Sequence, residues 1–392
     1  MKFTCDFDSL VANLSDLAEV VEDGLISEDM RNVIFRFTKE TVELIGVNQL
    51  ITFIRPLDHQ YFTIQSEDSD FSEEGIRYMQ LSSKELSNFL NSYKGVRRTS
   101  IEEVSFTTQP SNRVKCSVLE KDLENGNEHV SSWTFIDIPM KRNVLGLINI
   151  PKPEKELEQV ETRMIMFYTK NLLPLLQTGT TLYSRLTFAE DYVIAFTSTH
   201  ITFMNNLLSE SFKGVLLTHR AISFMNKVIC NISADTVGVS RDAQYLYFEA
   251  ENTKAFIRYE NKLPQYDHHL KMFTKENAFA LDRIYLKDSL KRLKLLNEGI
   301  EFTVDAEKSE IILKNTKFIQ GIDLLQTKNL DACGQIRFKV LPDVLSNVII
   351  GSDDEFSPTL YVYYCPQPNK TAVLVFTDDS GSWFSSITVK PY

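Results

Sequence analysis

No two cysteines in this sequence lie close enough together to suggest a metal knuckle or a redox pair. The five that occur, Cys5, Cys116, Cys230, Cys333 and Cys365, are odd in number and far apart. That usage argues against a disulfide framework and a zinc site, and for reduced thiols in a cytosolic protein. No apolar run approaches the roughly 18 residues that suggest a membrane-spanning helix. The N-terminus, MKFTCDFDSL, carries an acid where a secretory signal would have its apolar core, so export is not expected. HExxH, GxSxG, P-loop and GxGxxG motifs are all missing. His268 and His269 are adjacent, but neighbouring imidazoles in a strand or loop point apart, and no carboxylate stands at ligand spacing. The acids Asp353, Asp354, Glu355, Asp378 and Asp379 read as turn residues. The expectation is a protein that is not an enzyme and needs neither cofactor nor metal.

What is present describes a globular chain. At 392 residues it is too long for one ordinary core and suits two or three domains. Hydrophobic residues are 43% and charged residues 24%, the usual balance for a soluble protein. The net charge of −11 opposes nucleic-acid binding in bulk. A concentrated basic surface can still act on an acidic body, so the placement of charge decides.

Self-similarity is the strongest feature. A helix-like segment opens each third of the chain: FDSLVANLSDLAEVV from Phe7, FYTKNLLPLLQTG near Phe167, and LKDSLKRLKLLNEG from Leu286. The first puts Phe7, Leu10, Val11, Leu14, Leu17 and Val21 on one stripe. The second is weaker, because Pro174 falls inside it. A later helix-like segment follows in each third, from Leu81, Leu217 and Leu341, and each precedes a strand, a turn and another strand. The fold class expected is α+β, with three tandem helix–sheet–helix–sheet domains of about 131 residues. Their bounds are 1–150, 151–275 and 276–392, with linkers near 148–161 and 263–277. EDSDFSEE, residues 67–74, reads as a solvated acidic tip.

Residues 254–302 join two of these modules. IRYE, 257–260, alternates as a half-buried strand does. Pro264 then ends strand pairing, since it cannot donate to a ladder. Leu281, Ile284, Leu290, Leu293 and Leu296 follow at helical spacing, with Lys287, Lys291, Arg292 and Lys294 on the other faces.

Order and spacing in this stretch resemble the bacterial-type DNA polymerase sliding clamp, the β-clamp processivity factor. FIRYENKLPQYDHHL stands where that family has a strand and then phenylalanine-proline-aspartate-tyrosine. LKDSLKRLKLLNEGIEF stands where it opens its third domain. MKFTCDFDSLVANLSDLAEV and VELIGVNQLITFI look like its opening helix and first hairpin. The likeness spans the whole chain and is best from 214 onward. Its departures suit a divergent member, such as a phage-encoded one.

The resemblance implies a DNA clamp fold, each chain forming half of a closed ring. Two copies would join head to tail as a homodimer, domain 1 meeting domain 3, around double-stranded DNA. Such a ring is a processivity factor in DNA replication. It tethers the polymerase without reading sequence, is placed by a clamp loader, and sits in the cytoplasm at the nucleoid or replication fork (the host cytoplasm, if phage-encoded). DNA-facing candidates are Lys84, Lys94, Arg97, Arg98, Arg220, Lys227, Lys287, Lys291, Arg292 and Lys294. Any one of these lysines is more often a solvated helix face; their recurrence in all three repeats carries the idea. Against it, the opening helix holds no Lys or Arg from 7 to 21 and is surrounded by Asp6, Asp8, Asp16, Glu19, Glu22 and Asp23.

The family also inserts partner peptides between domains 2 and 3. Its threonine–aspartate–glycine–histidine–arginine–leucine segment corresponds to Thr197, Ser198, Thr199, His200, Ile201 and Thr202. Pro264 and Tyr266 match the joint, with His268 and His269 where the family often has arginine and an aliphatic residue, and Val389, Lys390 and Pro391 stand at the C-terminal strand, with Thr388 just before. Threonine in place of glycine and leucine at 199 and 202 implies an altered pocket. By itself, His200 reads as an ordinary core or loop histidine. For the dimer interface the candidates are Leu86, Phe89 and Leu90 against Leu295 and Leu296, residue types that suit an interface core, although most of the five read better as plain core residues. The alternative function is a protein-interaction scaffold of the same fold that never encircles DNA. A hydrolase with an unrecognised site is more distant.

Overall fold

A computed structural model of the chain describes residues 1–21, 30–94, 99–179, 181–232, 235–296, 298–330, 335–349 and 356–392. Of the sequence candidates, Arg97, Arg98, Cys333, Glu22, Asp23 and the acids 353–355 lie outside the described residues.

The same order of elements runs three times. The first pass is β1 (Lys2–Asp6), α1 (Phe7–Val21), β2 (Asn32–Phe37), β3 (Val42–Val47), β4 (Ile51–Pro56), β5 (Phe62–Gln65), β6 (Arg77–Ser82), α2 (Ser83–Asn91), β7 (Thr99–Gln109), β8 (Arg113–Asp122) and β9 (Glu128–Ile136). A short helix, α3 (Arg142–Ile148), leads to the second. That pass is β10 (Glu158–Glu161), α4 (Thr162–Leu172), β11 (Arg185–Phe188), β12 (Tyr192–Phe196), β13 (His200–Asn205), β14 (Val215–Thr218) and α5 (His219–Phe224). A π-helical turn, Met225–Ile229, continues α5 into α6 (Cys230–Ile232); β15 (Thr236–Arg241), β16 (Tyr245–Ala250) and β17 (Thr253–Arg258) follow. After α7 (Asp267–Leu270) come β18 (Ala278–Asp282), α8 (Arg283–Lys294), β19 (Ile300–Asp305), β20 (Glu310–Lys314), β21 (Ile319–Lys328) and β22 (Ile336–Val340). The chain closes with α9 (Pro342–Val348), β23 (Thr359–Pro366), β24 (Ala372–Asp378) and β25 (Trp383–Val389).

Pairing repeats as faithfully as order does. Each first strand joins the final three, as β1-β7-β8-β9, β10-β15-β16-β17 and β18-β23-β24-β25. Of the remaining strands β5 pairs with β1, and the others form β4-β3-β2-β6, β13-β12-β11-β14 and β21-β20-β19-β22, with the second half of β21 also pairing with β18. The architecture is therefore α+β with a threefold internal repeat, built from antiparallel ladders.

By contacts the chain divides into two compact units. One comprises Met1–Arg163 with Phe224–Tyr259, and the other Met164–Ser223 with Glu260–Tyr392. The middle repeat thus gives four strands to each. In the first unit β17 pairs with β4, extending the repeat-one half-sheet to eight strands; in the second, β25 pairs with β13 within a twelve-stranded sheet.

Local chemistry explains the helix starts. Asp6 and Asp282 end equivalent strands, and their carboxylates accept from the backbone amides of Ser9 (2.7 Å) and Tyr285 (2.8 Å). Each satisfies an amide that the first helical turn leaves without a partner. The cap at Asp282 starts α8 at Arg283, so Leu281, the first residue of the apparent period, belongs to β18 instead. α4 also begins earlier than its pattern suggests and stops at Leu172, so Pro174 falls in a 3-10 turn, Leu173–Leu175, beyond the helix. Proline removes a helical donor and clashes with the preceding turn, which makes the exit there favourable. β17 ends at Arg258, ahead of Pro264, and Glu260 continues as an isolated bridge to Leu216.

Each repeat buries apolar residues between its helices and sheets. On α1 the buried face is Phe7, Leu10, Leu14, Leu17, Val20 and Val21, with Asn13 donating to the Ser9 carbonyl. Phe3 on β1 lies edge-on to Phe37 on β2, ring centres 5.4 Å apart, so aromatic packing joins the two half-sheets of repeat one.

Candidate functional site

The predicted cations sit on the second helix of repeats one and two and the first helix of repeat three. Lys84 and Lys94 are exposed on and just after α2 and line a groove of about 610 Å³ beside α1. Lys227 is exposed, but its Nζ lies 2.9 Å and 3.0 Å from the two carboxylate oxygens of Glu19 on α1. On α8, Lys291 pairs with Asp288 at 2.8 Å, and Lys294 reaches Asp343 on α9 at 3.1 Å. Lys291 and Asp288 hold each other's charge, and that lysine pulls the Asp288 carboxyl below its usual range. Arg292 is exposed, while Arg220 and Lys287 are half-buried. Arg283 opens the same helix but is fully buried. Its guanidinium donates to the carbonyls of Ser357 and Phe356 and lies over the Phe356 ring. Nothing in the spacing of LKDSLKRLK reveals that role, because its partners lie some seventy residues away.

The second set assembles at the β13–β25 pairing. His200 stands opposite Ile387 and Thr202 opposite Ser385, which brings Thr197 and Thr199 to the same end of the ladder as Thr388 and Val389. Thr197 and Thr199 place their hydroxyls 2.9 Å and 3.1 Å from Nδ1 of His200. Burial pushes the His200 pKa down to about 4, so the ring is neutral near pH 7. Thr202 is completely buried, its hydroxyl bonded to that of Ser385 at 2.6 Å. It therefore offers no surface to a peptide, contrary to the sequence expectation. Thr388, Lys390 and His268 are exposed, Pro264, Tyr266 and Pro391 half-buried, and Val389 buried.

Of the residues that make this face distinctive, the motif comparison named Ile201 and Tyr266 and passed over Tyr192, Phe196, Phe203, Leu263 and Phe384. Phe196 and Phe203 form an apolar patch with Tyr192, Ile201 and Phe384, against which Leu263 and Tyr266 pack. Phe203 and Phe384 stack with ring centres 4.6 Å apart, and Tyr266 meets Phe203 edge-on at 6.3 Å. Alternation along β13 was the available signal: Ile201 and Phe203 share one side, His200 and Thr202 the other.

Among the interface candidates, Leu86 and Leu90 are buried under α2, so neither can anchor a second copy. Phe89 is half-buried and packs near Trp133 and Phe135 of β9. Trp133 is 56% exposed, on a strand that pairs only with β8 among the described residues. In the other unit Leu295 is 86% exposed and Leu296 half-buried. Ile319, 69% exposed, begins β21, whose first half, among the described residues, pairs with β20 alone.

Among the described residues no cluster of histidine, cysteine, aspartate or glutamate is placed to hold a metal, and no helix is long and apolar enough to cross a membrane. The described cysteines, Cys5, Cys116, Cys230 and Cys365, are buried thiols.

No protein-family model matches the chain, and no curated protein matches it. Solved structures do. A DNA polymerase sliding clamp from Bacillus subtilis is 12% identical, with a TM-score of 0.75 over 100% of this chain and 99% of that one. A putative DNA polymerase III beta subunit from Eubacterium rectale is 14% identical, with a TM-score of 0.73 over 100% and 99%. The Helicobacter pylori beta clamp bound to a DNA ligase peptide is 12% identical, with a TM-score of 0.69 over the full length of both chains. The resemblance read from order and spacing thus holds at the level of the fold: over its whole length this chain has the fold of the bacterial DNA polymerase sliding clamps.

Proposed function

We propose that the protein is a DNA sliding clamp: two copies closing head to tail into a ring around duplex DNA and tethering a polymerase to its template. The domains are those expected at 1–150, 151–275 and 276–392. The observation that carries this reading is an incomplete pattern in the sheets. The last strand of repeat two pairs with the fourth strand of repeat one (β17 with β4), and the last strand of repeat three with the fourth strand of repeat two (β25 with β13). The same rule leaves two edges over, β9 of repeat one and the first half of β21 in repeat three.

The repeat also sets a register for joining them. Thr52, Ile201 and Ile319 are equivalent, each opposite the last residue of the preceding strand: Val47, Phe196 and Lys314. Phe256, Ser386 and Thr134 are equivalent by their positions in the other half-sheets. Phe256 pairs with Thr52 and Ser386 with Ile201, so Thr134 of one copy pairs with Ile319 of the next. Exposed Trp133 and Ile319 are then buried at each junction, and the relation is heterologous, closing by rotation.

Inside such a ring Lys84, Lys94, Arg97, Arg98, Arg220, Lys227, Lys287, Lys291, Arg292 and Lys294 meet phosphates without reading bases. Partner peptides, from a polymerase or a loader, dock on the aromatic face around Phe203, Tyr266 and Phe384. That a fold neighbour is a clamp bound to a ligase peptide supports this. The ion pairs at Lys227, Lys291 and Lys294 favour the second reading, a scaffold of the same fold that does not encircle DNA, because they compensate charge that DNA would otherwise meet.

One experiment separates the two. Thr134→Cys/Ile319→Cys protein is oxidised in the presence of a nicked circular plasmid, washed in about 1 M salt to screen phosphate contacts, and then treated with a restriction enzyme. A clamp stays on the circle and leaves when it is cut. A crosslinked species that never stays, or one that stays after cutting, would favour the scaffold or plain adhesion.

A further inference from the structure

The junction of repeats one and two carries a cavity that the ring reading does not use. It has a volume of about 270 Å³ and lies in the first unit, where the connecting segment that includes α3 crosses β4 and β17. Its floor is apolar: Ile54, Ile148, Tyr247 and Phe256 are buried, and Ile150 is half-buried. Its rim carries Arg36, Lys152 and Lys254, and among the described residues no carboxylate is part of the lining.

Internal repetition says what kind of place this is. Ile54 and Lys254 stand opposite each other in the β4–β17 ladder, in the row that Phe203 and Phe384 occupy in the β13–β25 ladder. Both faces are crossed by the segment joining successive repeats, which contributes Leu263, Tyr266 and Leu270 at the later junction and Val144, Ile148 and Ile150 at the earlier one. The earlier face therefore has the same apolar ground plan, with a cation where the later one has an aromatic ring.

The site is held rather than loose. The Thr52 hydroxyl donates to the Leu147 carbonyl at 3.0 Å, and the Ser240 hydroxyl to the Lys155 carbonyl at 3.3 Å. Leu157 lies against Gly238, where even an added Cβ would come within 3.1 Å of it. Lys152 bonds Glu249 at 2.5 Å and lies 5.6 Å from the centre of the Tyr247 ring, and Arg36 pairs with Glu43. Two carboxylates thus offset three cations and leave a local positive excess, on a chain whose net charge is −11. The volume lies just below the roughly 300 Å³ at which small-molecule sites begin, and suits one or two side chains.

We infer that this cavity is a second peptide-docking site, which takes an aliphatic side chain on its apolar floor and a neighbouring carboxylate at Lys254 and Lys152. The inference rests on the proposed peptide docking at the later junction, though not on closure of the ring. The occupant is an acidic, leucine-bearing segment of another protein, and the charge difference separates its ligands from those of the aromatic face.

Isoleucine methyl NMR of the full chain tests this directly, because Ile54, Ile148 and Ile150 report from the cavity and Ile201 from the later junction. The probes are the blocked tetrapeptides acetyl-Glu-Leu-Asp-Leu-amide and acetyl-Lys-Leu-Lys-Leu-amide. The acidic peptide shifts the methyls of Ile54, Ile148 and Ile150 in a saturable way, and the basic one does not. Lys254→Glu weakens the acidic peptide about tenfold, as reversing one charge contact would, while its other isoleucine signals stay in place and so report an intact fold. No shift up to about 10 mM peptide, a weaker interaction than any useful docking site has, overturns the inference. So do equal shifts with the basic peptide, shifts confined to Ile201, or unchanged affinity in Lys254→Glu.

Discussion

His200 shows how one residue's environment decides its chemistry. Unperturbed, a histidine titrates near 6.5, but here burial holds the ring neutral down to about pH 4. The unfolded chain takes up that proton at a higher pH than the folded one. His200 therefore contributes its full stability above pH 6.5, and loses it as pH falls from there towards 4. Urea unfolding at pH 7 and pH 5 is expected to show wild type losing about 2 kcal/mol more than His200→Gln over that interval. An identical loss in both proteins would mean that the ring is not buried as described. The segment Thr197 to Thr202 was legible as a motif and its alternation as two sides, whereas which partners each side would meet was not. A hydroxyl such as that of Thr202 becomes structural only once Ser385, far along the chain, is brought opposite it. Arg283 makes the same point, since in the sequence it is one more cation on a basic helix.

Helices and strands were read more reliably than single residues, because period depends on neighbours in the chain. The stripe on α1 emerged nearly as predicted, with Val11 only half-buried and Val20 buried in addition. The errors fell at element ends: α4 begins before the segment near Phe167, and α8 begins only at Arg283, after Leu281, because strand-to-helix junctions set their first turns. Packing between elements adds a constraint that period cannot show. A Cβ placed on Gly46 of β3 would lie 2.7 Å from Cδ2 of Leu17 and 3.3 Å from Cβ of Val20, so α1 rests directly on the glycine. Gly46→Ala is expected to destabilise the protein by about 1–3 kcal/mol through overpacking, measured as a lower urea midpoint with an unchanged slope. A midpoint equal to wild type would show that α1 can move aside at little cost. At the same scale, α1 carries acids and no cation, and Glu19 engages Lys227, so part of the predicted basic lining is neutralised within the chain.

For the whole molecule, the internal repeat makes a prediction specific to one residue pair. Thr134→Cys/Ile319→Cys protein should form a disulfide between copies under mild oxidation, because facing residues of an antiparallel pair lie about 4.5–5.5 Å apart at Cα, within disulfide reach. Ser132→Cys/Ile319→Cys, displaced by two residues, should crosslink far less, and single variants should give no closed dimer. Non-reducing electrophoresis with mass measurement reads the result, and equal crosslinking of both double variants would sink the register. The sequence alone determined that there are three α+β repeats, where their helices lie, and which family pattern they resemble. Those follow from periodicity, caps and turn residues, all interactions within a few positions. Tertiary structure decided that Lys227, Lys291 and Lys294 meet carboxylates of the chain, that Phe384 of β25 completes the aromatic patch on β13, that Leu86 and Leu90 belong to the core, and which strand edges are left over. Each of these depends on side chains or strands distant in the chain coming together, and no local spacing encodes that.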